Sequence, residues 1–400
     1  MKDFVPGNQL QLLCTGEEYF PALLEQIAQA KHEIRMETYI FEADTIGHRV
    51  ANALCAAAKR GVKVHLLVDG FGAAKLDHGL APEMRQCGVE IQIYRPEVGR
   101  AQWRNPFRRH RLRRLHRKLS VFDSRIAFIG GINIVDDSET QKIAPRFDYA
   151  VQVEGPVVAD IHAAMTHVWQ IVAWAALGMY RHTTPAPAMS DLMPEAAAAV
   201  PVVAGNVAAA LVIRDNMRHR RDIELAYLHA LQNAQREVLI ANAYFLPGTL
   251  FRRALANASR RGVKVTLLLQ GQIEYPLLHY ATQALYARLM RVGIRIVEYR
   301  HSFLHAKVAV IDGHWATVGS SNIDPFSLLL SREANLVIDD VAFATELQSS
   351  LNAAMETGSV EILPRHLHAR SWLARTASQL AYGIVRMVIG FTGYGRRRRR

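Results

Sequence analysis

Cysteine is scarce in this 400-residue chain: there are three, Cys14, Cys55 and Cys87, scattered and without a CxxC spacing. An odd, dispersed set excludes a disulfide framework and a cysteine-built zinc site, and fits reduced thiols in a cytoplasmic setting. Long hydrophobic runs are also missing. No apolar stretch is long enough to span a bilayer, and the opening MKDFVPGNQLQLL lacks the continuous apolar segment of a secretory signal. Acidic residues are in deficit, 36 against 48 Lys plus Arg, which leaves a formal net charge of +12. So basic a chain is expected to meet a polyanion, either nucleic acid or the anionic surface of a membrane. No His, Cys, Asp and Glu residues cluster like a ligand set, so neither a metal nor a cofactor is expected.

What is present is a duplication. Leu115 to Asn133 reads LHRKLSVFDSRIAFIGGIN, and Leu304 to Asn322 reads LHAKVAVIDGHWATVGSSN. His116, Lys118, Asp123, Gly130 and Asn133 recur at the same spacings as His305, Lys307, Asp312, Gly319 and Asn322. A His and a Lys two apart among apolar residues fall on one face of a strand. Asp123-Ser124-Arg125 reads as a turn and Ile126 to Ile129 as the returning strand. A hairpin core does not need a basic pair at the same place twice; chemistry on an anion does. The correspondence extends outward, RGVKVHLLVDG at Arg60 to Gly70 matching RGVKVTLLLQG at Arg261 to Gly271. The pattern predicts an α/β protein of two halves, 1–181 and 206–364, each a mixed central sheet flanked by helices. A Pro- and Ala-rich linker, 182–205, joins them.

Two segments have no counterpart. Gly99 to Arg117, GRAQWRNPFRRHRLRRLHR, is expected to face substrate, because Arg forks suit phosphate and Trp103 suits a lipid–water boundary. Near the carboxyl end Leu373, Ala377, Leu380, Ile384, Met387 and Phe391 form one apolar helical face, opposite His368, Arg375, Gln379, Tyr382 and Arg386, before the run Arg396 to Arg400. Residues 365–400 therefore read as an in-plane, membrane-associating helix with a basic tail. The apolar stretch Val168 to Tyr180 reads as a core helix.

Brought together, His116, Lys118, His305 and Lys307 would surround one phosphodiester. Lys118, Lys307, Asn133 and Asn322 could hold its non-bridging oxygens and stabilise the charge that grows as phosphorus becomes five-coordinate. One neutral imidazole could attack phosphorus while the other, protonated, supplies the leaving alkoxide with a proton. A carboxylate on one ring nitrogen can sort the two states. Asp148, in FDYAVQVEG, and Glu333, in REANLVIDD, occupy matching places after each hairpin and are the candidates for orienting the histidines. His110, His301 and His314 have no repeated partner and read as ordinary surface or core residues.

The paired H-x-K-x4-D segments, each with its Gly and Asn, resemble the phospholipase D superfamily over roughly Gly7 to Pro364. The resemblance implies a duplicated phospholipase D-like α/β fold with pseudo-two-fold halves, one active site at their junction, and a metal-free reaction through a phosphohistidine. It places Asp123 and Asp312 in the catalytic motif as supports, His116 as nucleophile and His305 as acid and base; the residues themselves leave those two roles open. GNQLQLLCTGEEYFPALLEQI, ETYIFEADTIG and FRRHRLRRLHRKL resemble the bacterial cardiolipin synthases without amino-terminal membrane helices. That implies phosphatidyl transfer to phosphatidylglycerol, releasing glycerol or another small alcohol, by an enzyme peripheral on the cytoplasmic face of the bacterial inner membrane. The alternative is hydrolysis of phospholipid or nucleic acid. Against a nuclease, the apolar carboxyl-terminal face has no use on DNA. A silent membrane-binding relative is a third reading, opposed by the intact His and Lys in both copies.

Overall fold

In the computed structural model both halves build the same sheet from the same order of elements. The structure describes residues 3–73, 76, 79–96, 114–137, 144–180, 203–215, 218–324, 331–368 and 371–391. The chain divides into two compact units, the first Asp3–Thr140 with Ala150–Leu211, the second Gln141–Tyr149 with Val212–Arg400.

The first unit runs β1 (Val5–Cys14), α1 (Thr15–Gln29), β2 (Glu33–Thr38), α2 (Thr45–Lys59), β3 (Lys63–Asp69), α3 (Leu80–Gln86), β4 (Glu90–Tyr94), the short β5 (Arg114–Leu115), then the hairpin β6 (Leu119–Phe122) and β7 (Ile126–Gly130). The chain gives β8 (Ala144–Phe147) to the second unit, then returns with β9 (Tyr149–Glu154), α4 (Val157–Tyr180) and β10 (Val207–Arg214). The sheet order is β10-β1-β9-β7-β6-β2-β3-β4. Strands β2, β3 and β4 are parallel, and β6, β7 and β9 join them antiparallel. In β3 the neighbours Leu66 and Leu67 point to opposite faces: Leu66 packs with Leu23, Ile27 and Leu54, whereas Leu67 packs with Val168 and Trp169 of α4. Both faces are covered, which is why Leu66, Leu67 and Val68 can be apolar in succession.

The second unit runs α5 (Asp222–Asn233), β11 (Glu237–Asn242), α6 (Thr249–Arg260), β12 (Lys264–Gln270), α7 (Pro276–Met290), β13 (Arg295–Tyr299), β14 (Ser302–Leu304), β15 (Lys307–Ile311), β16 (Trp315–Gly319), β17 (Ser331–Asp339), α8 (Val341–Gly358), β18 (Ser359–Glu361), α9 (Pro364–His368) and α10 (Trp372–Phe391). Its sheet, β18-β13-β12-β11-β15-β16-β17, repeats the sequence β4-β3-β2-β6-β7-β9 with one strand added at the edge. Outside it, β8 and β14 form a parallel pair.

The repeated RGVKV block proves to be architecture. Gly61 and Gly262, at φ 91° and 92°, end α2 and α6 in the left-handed region that favours glycine. The arginine before each caps the preceding helix of its unit: Arg60 Nη2 donates to the carbonyls of Ile27 and Ala28, and Arg261 Nη2 to those of Leu231 and Ala234.

Helix α10 packs on α7. Its buried stripe is Ser378, Ala381 and Val385, with Ala374 and Tyr382 partly covered, and Tyr382 Oη accepts from Arg252 Nη1 at 2.6 Å. These small residues let the helix sit close while the larger apolar ones face outward: Trp372 is 68% exposed, Leu380 64% and Met387 62%. Tyr382 thus lies toward the docked side rather than on an open polar face. In α4, Val168, Trp169 and Ala173 are buried as a core helix requires, though Trp174 is exposed. The linker from 182 to 202, most of the Arg-rich segment (99–113) and Arg396 to Arg400 lie outside the described residues.

Candidate active site

Each motif histidine stands just before its strand and outside the ladder. The ladder begins at Leu119 in β6 and at Lys307 in β15, so His116 and His305 occupy the approach, where the expected strand pairing does not reach. The histidine and lysine still share a side. Lys118 Nζ donates to the carbonyl of His116 at 2.8 Å, and Lys307 Nζ donates to that of His305. Both lysines are buried, at 4% and 0% exposure, where a cation requires a nearby anion or carbonyl dipoles.

The residue before each histidine is pinned in the same way. Asp69 ends β3 and accepts from the backbone N–H of Leu115 at 2.7 Å; Gln270 ends β12 and its Oε1 accepts from that of Leu304 at 3.2 Å. The asparagines match as well. Asn133 Oδ1 accepts from Ile40 N at 3.2 Å and Asn322 Oδ1 from Tyr244 N at 3.4 Å. Asp123 and Asp312 lie at the far ends of their strands, five residues past the lysines, roughly 16 Å along an extended chain. Asp123 accepts from the N–H groups of Lys31, His32 and Glu33, and Asp312 from those of Gln235, Arg236 and Glu237, all at 2.7–2.9 Å. They brace the starts of β2 and β11 and touch backbone alone in these bonds.

The first unit surrounds His116 with Tyr39, its ring 4.9 Å away, and Lys118 Nζ lies 5.4 Å from the same ring. Arg117 departs from the expectation that it belongs to a substrate-facing loop. It points away from its neighbours into a bidentate pair with Glu37 at 2.6 and 2.8 Å, both side chains 2% exposed. Removing one partner of such a pair costs about 3–5 kcal/mol, so Arg117 serves the fold.

The second unit assembles the fuller cluster. Asp148, carried in beside β8, meets the histidine of the later motif: His305 Nδ1 lies 2.6 Å from Asp148 Oδ2, with Lys307 Nζ 3.7 Å from the same oxygen. The backbone N–H of His305 donates to Phe147 O at 2.9 Å, fixing the approach to the strand. Glu333, the other orienting candidate, is fully buried and accepts from Ser320 Oγ at 2.6 Å. Burial drives the Lys307 ammonium down to about 8 against the opposing pull of Asp148 and Glu333.

Three residues here went unnoticed in the sequence. Glu274 pairs with Arg146 at 3.0 Å and accepts from the Tyr244 hydroxyl. Burial alone would raise its carboxyl; Arg146 and Tyr244 outweigh that and hold it below the usual range. None of the three is repeated in the other half, so comparison of the halves could not find them. Arg146 lies two residues before Asp148, and that was the available signal. Among the described residues no group of three or more His, Cys, Asp or Glu could hold a metal ion.

Two units of one strand order, each presenting a histidine with a buried lysine bonded to its carbonyl, define a duplicated fold of the phospholipase D type. The chain belongs to the family described as "Cardiolipin synthase, PLD-like domain", which matches residues 23–169 and 227–355. It is 40% identical to cardiolipin synthase B of Shigella flexneri over 97% of this chain and 90% of that protein, and 39% identical to cardiolipin synthase B of Escherichia coli K12 over the same shares. Cardiolipin synthase A of Escherichia coli O157:H7 is 29% identical over 93% of this chain and 73% of its own length. The fold alone is shared with the crystal structure of a phosphatidylserine synthase from Haemophilus influenzae, at TM-score 0.68 and 12% identity over 97% of this chain and 96% of that one.

Proposed function

We propose that the chain makes cardiolipin, moving a phosphatidyl group onto phosphatidylglycerol by double displacement at a phosphorus atom served by both motifs. The carboxylate–imidazole pair Asp148–His305, set against the buried Lys307, carries this reading. With Nδ1 committed to Asp148, Nε2 of His305 is the reacting nitrogen, and the carboxylate compensates the charge when the ring takes up a proton. In the first step His116 forms a P–N bond to the donor lipid while the P–O bond to its glycerol breaks, and His305 hands its proton to the departing alkoxide. In the second, the acceptor's hydroxyl forms a new P–O bond as the P–N bond breaks, and His305 takes the hydroxyl proton. Lys118, Lys307, Asn133 and Asn322 are proposed to neutralise the phosphoryl oxygens throughout.

The test is product mass after incubation with phosphatidylglycerol vesicles. Cardiolipin with an equal yield of free glycerol is expected; phosphatidic acid as the main product would make the chain a hydrolase instead. Because Lys307 must be protonated to hold phosphate, kcat/KM for the free enzyme is expected to fall as pH rises through about 8. A rate level from pH 7 to 9.5 would remove Lys307 from phosphate binding.

Attachment to an anionic membrane surface from the cytoplasmic side is proposed through α10. Its outward stripe of Trp372, Leu373, Leu380, Ile384 and Met387 is flanked by Arg375 and Arg386, the pattern of a helix lying in the headgroup layer. Among the described residues no helix is long and apolar enough to cross a membrane. The double variant Leu380→Asp, Met387→Asp leaves the face docked on α7 intact and is expected to lower cosedimentation with anionic vesicles at least about tenfold. Unchanged sedimentation would remove α10 from the contact.

A further inference from the structure

Near His305, whose charge reaches Glu274, an open pocket is lined by Tyr244, Gln270, Glu274, Tyr275, Leu278 and Tyr286 among others, all from the second unit. Its wall is shared with the reacting centre: Gln270 pins Leu304, Tyr244 is held by Asn322, and Glu274 feels the charge of His305. We infer, resting on the reading above, that this pocket seats the glycerol of phosphatidylglycerol and prefers a neutral diol to an ammonium headgroup.

Gln270 carries the inference. It is 7% exposed, its Oε1 accepts from Leu304 N and Gln272 N, and its Nε2 has no partner among the described residues. A buried donor left without an acceptor is costly, and a ligand hydroxyl relieves that cost. The equivalent position in the first unit, Asp69, pins Leu115 equally well through a carboxyl oxygen and carries no amide NH2. The amide donor therefore exceeds what bracing the strand demands. Glu274 supplies the complement, since carboxylate oxygens already engaged by Arg146 and Tyr244 retain lone pairs for a second hydroxyl. A hydroxyl that accepts from Gln270 and one that donates to Glu274 describe adjacent groups on a polyol. An ammonium would find the Glu274 charge already compensated by Arg146, with Lys307 and His305 close by.

The discriminating variant is Gln270→Glu, which keeps an acceptor for Leu304 N–H and deletes the donor. With the full chain and phosphatidylglycerol vesicles, it is expected to raise KM for cardiolipin formation about tenfold with kcat within about twofold. In vesicles supplied with equal free glycerol and ethanolamine, the ratio of glycerol to ethanolamine adducts is expected to fall by a similar factor. Glu274→Gln, measured alongside, replaces one acceptor oxygen by an NH2 and is expected to raise KM in the same way. Wild-type KM and wild-type adduct ratio in both variants would overturn the inference while leaving cardiolipin synthesis standing. Absence of cardiolipin with the wild-type chain would bring down the reading and the inference together. A kcat loss without a KM change would make Gln270 a brace alone and also overturn it.

Discussion

Alanine at His116 or at His305 is expected to lower phosphatidyl transfer by at least about 10⁴-fold, with the melting temperature nearly unchanged. Neither ring is a packing residue. Both are partly exposed, and their backbones are held by neighbours: Leu115 by Asp69, Leu304 by Gln270, and His305 itself by Phe147. The two losses differ in kind, which allows the roles to be assigned. A donor lipid whose headgroup is nitrophenol needs no proton to depart. His305→Ala is therefore expected to release one equivalent of nitrophenol and stop at the phosphohistidine, whereas His116→Ala releases none. The reverse pattern would exchange nucleophile and acid. Near-wild-type turnover in either variant would rule out a shared phosphorus.

Asp148→Asn is expected to cost about 10²–10⁴-fold in kcat while the fold persists. The amide nearly matches the carboxylate in shape, so the contact with His305 Nδ1 at 2.6 Å survives without its charge. An amide can also turn its NH2 toward Nδ1, which forces the unproductive tautomer of the ring. A second effect follows from Lys307. Asp148 is the largest influence raising the ammonium against burial, so its neutralisation moves the alkaline limb of the pH profile below 8. Wild-type activity with an unmoved limb would show that Asp148 neither orients the histidine nor supports the lysine.

The histidines, lysines and asparagines were legible because they come in pairs, and Asn133 and Asn322 hold matching N–H groups. The α/β class and its duplication followed from the same repetition, and the strand order now shows it. Pairing by itself does not mark a site. RGVKV repeats as conspicuously as the motif, yet Arg60 and Arg261 cap helices. What was not repeated stayed hidden: Arg146, Tyr244 and Glu274 belong to one unit, and their meeting depends on a fold that spacing does not encode. Arg117 read as one more arginine in a basic run because burial opposite Glu37 leaves no mark on composition. In α10 the helical period marked the outward apolar face, but it gave no sign that the small residues opposite would dock the helix on α7.

β8 has a consequence for dissecting the chain. Gln141–Tyr149 lies in sequence within the amino-terminal copy but belongs to the other unit, where Asp148 sits 2.6 Å from His305. A fragment that starts after the linker would keep its histidine and lose that carboxylate, so cutting the gene between the repeats would not cut between the units.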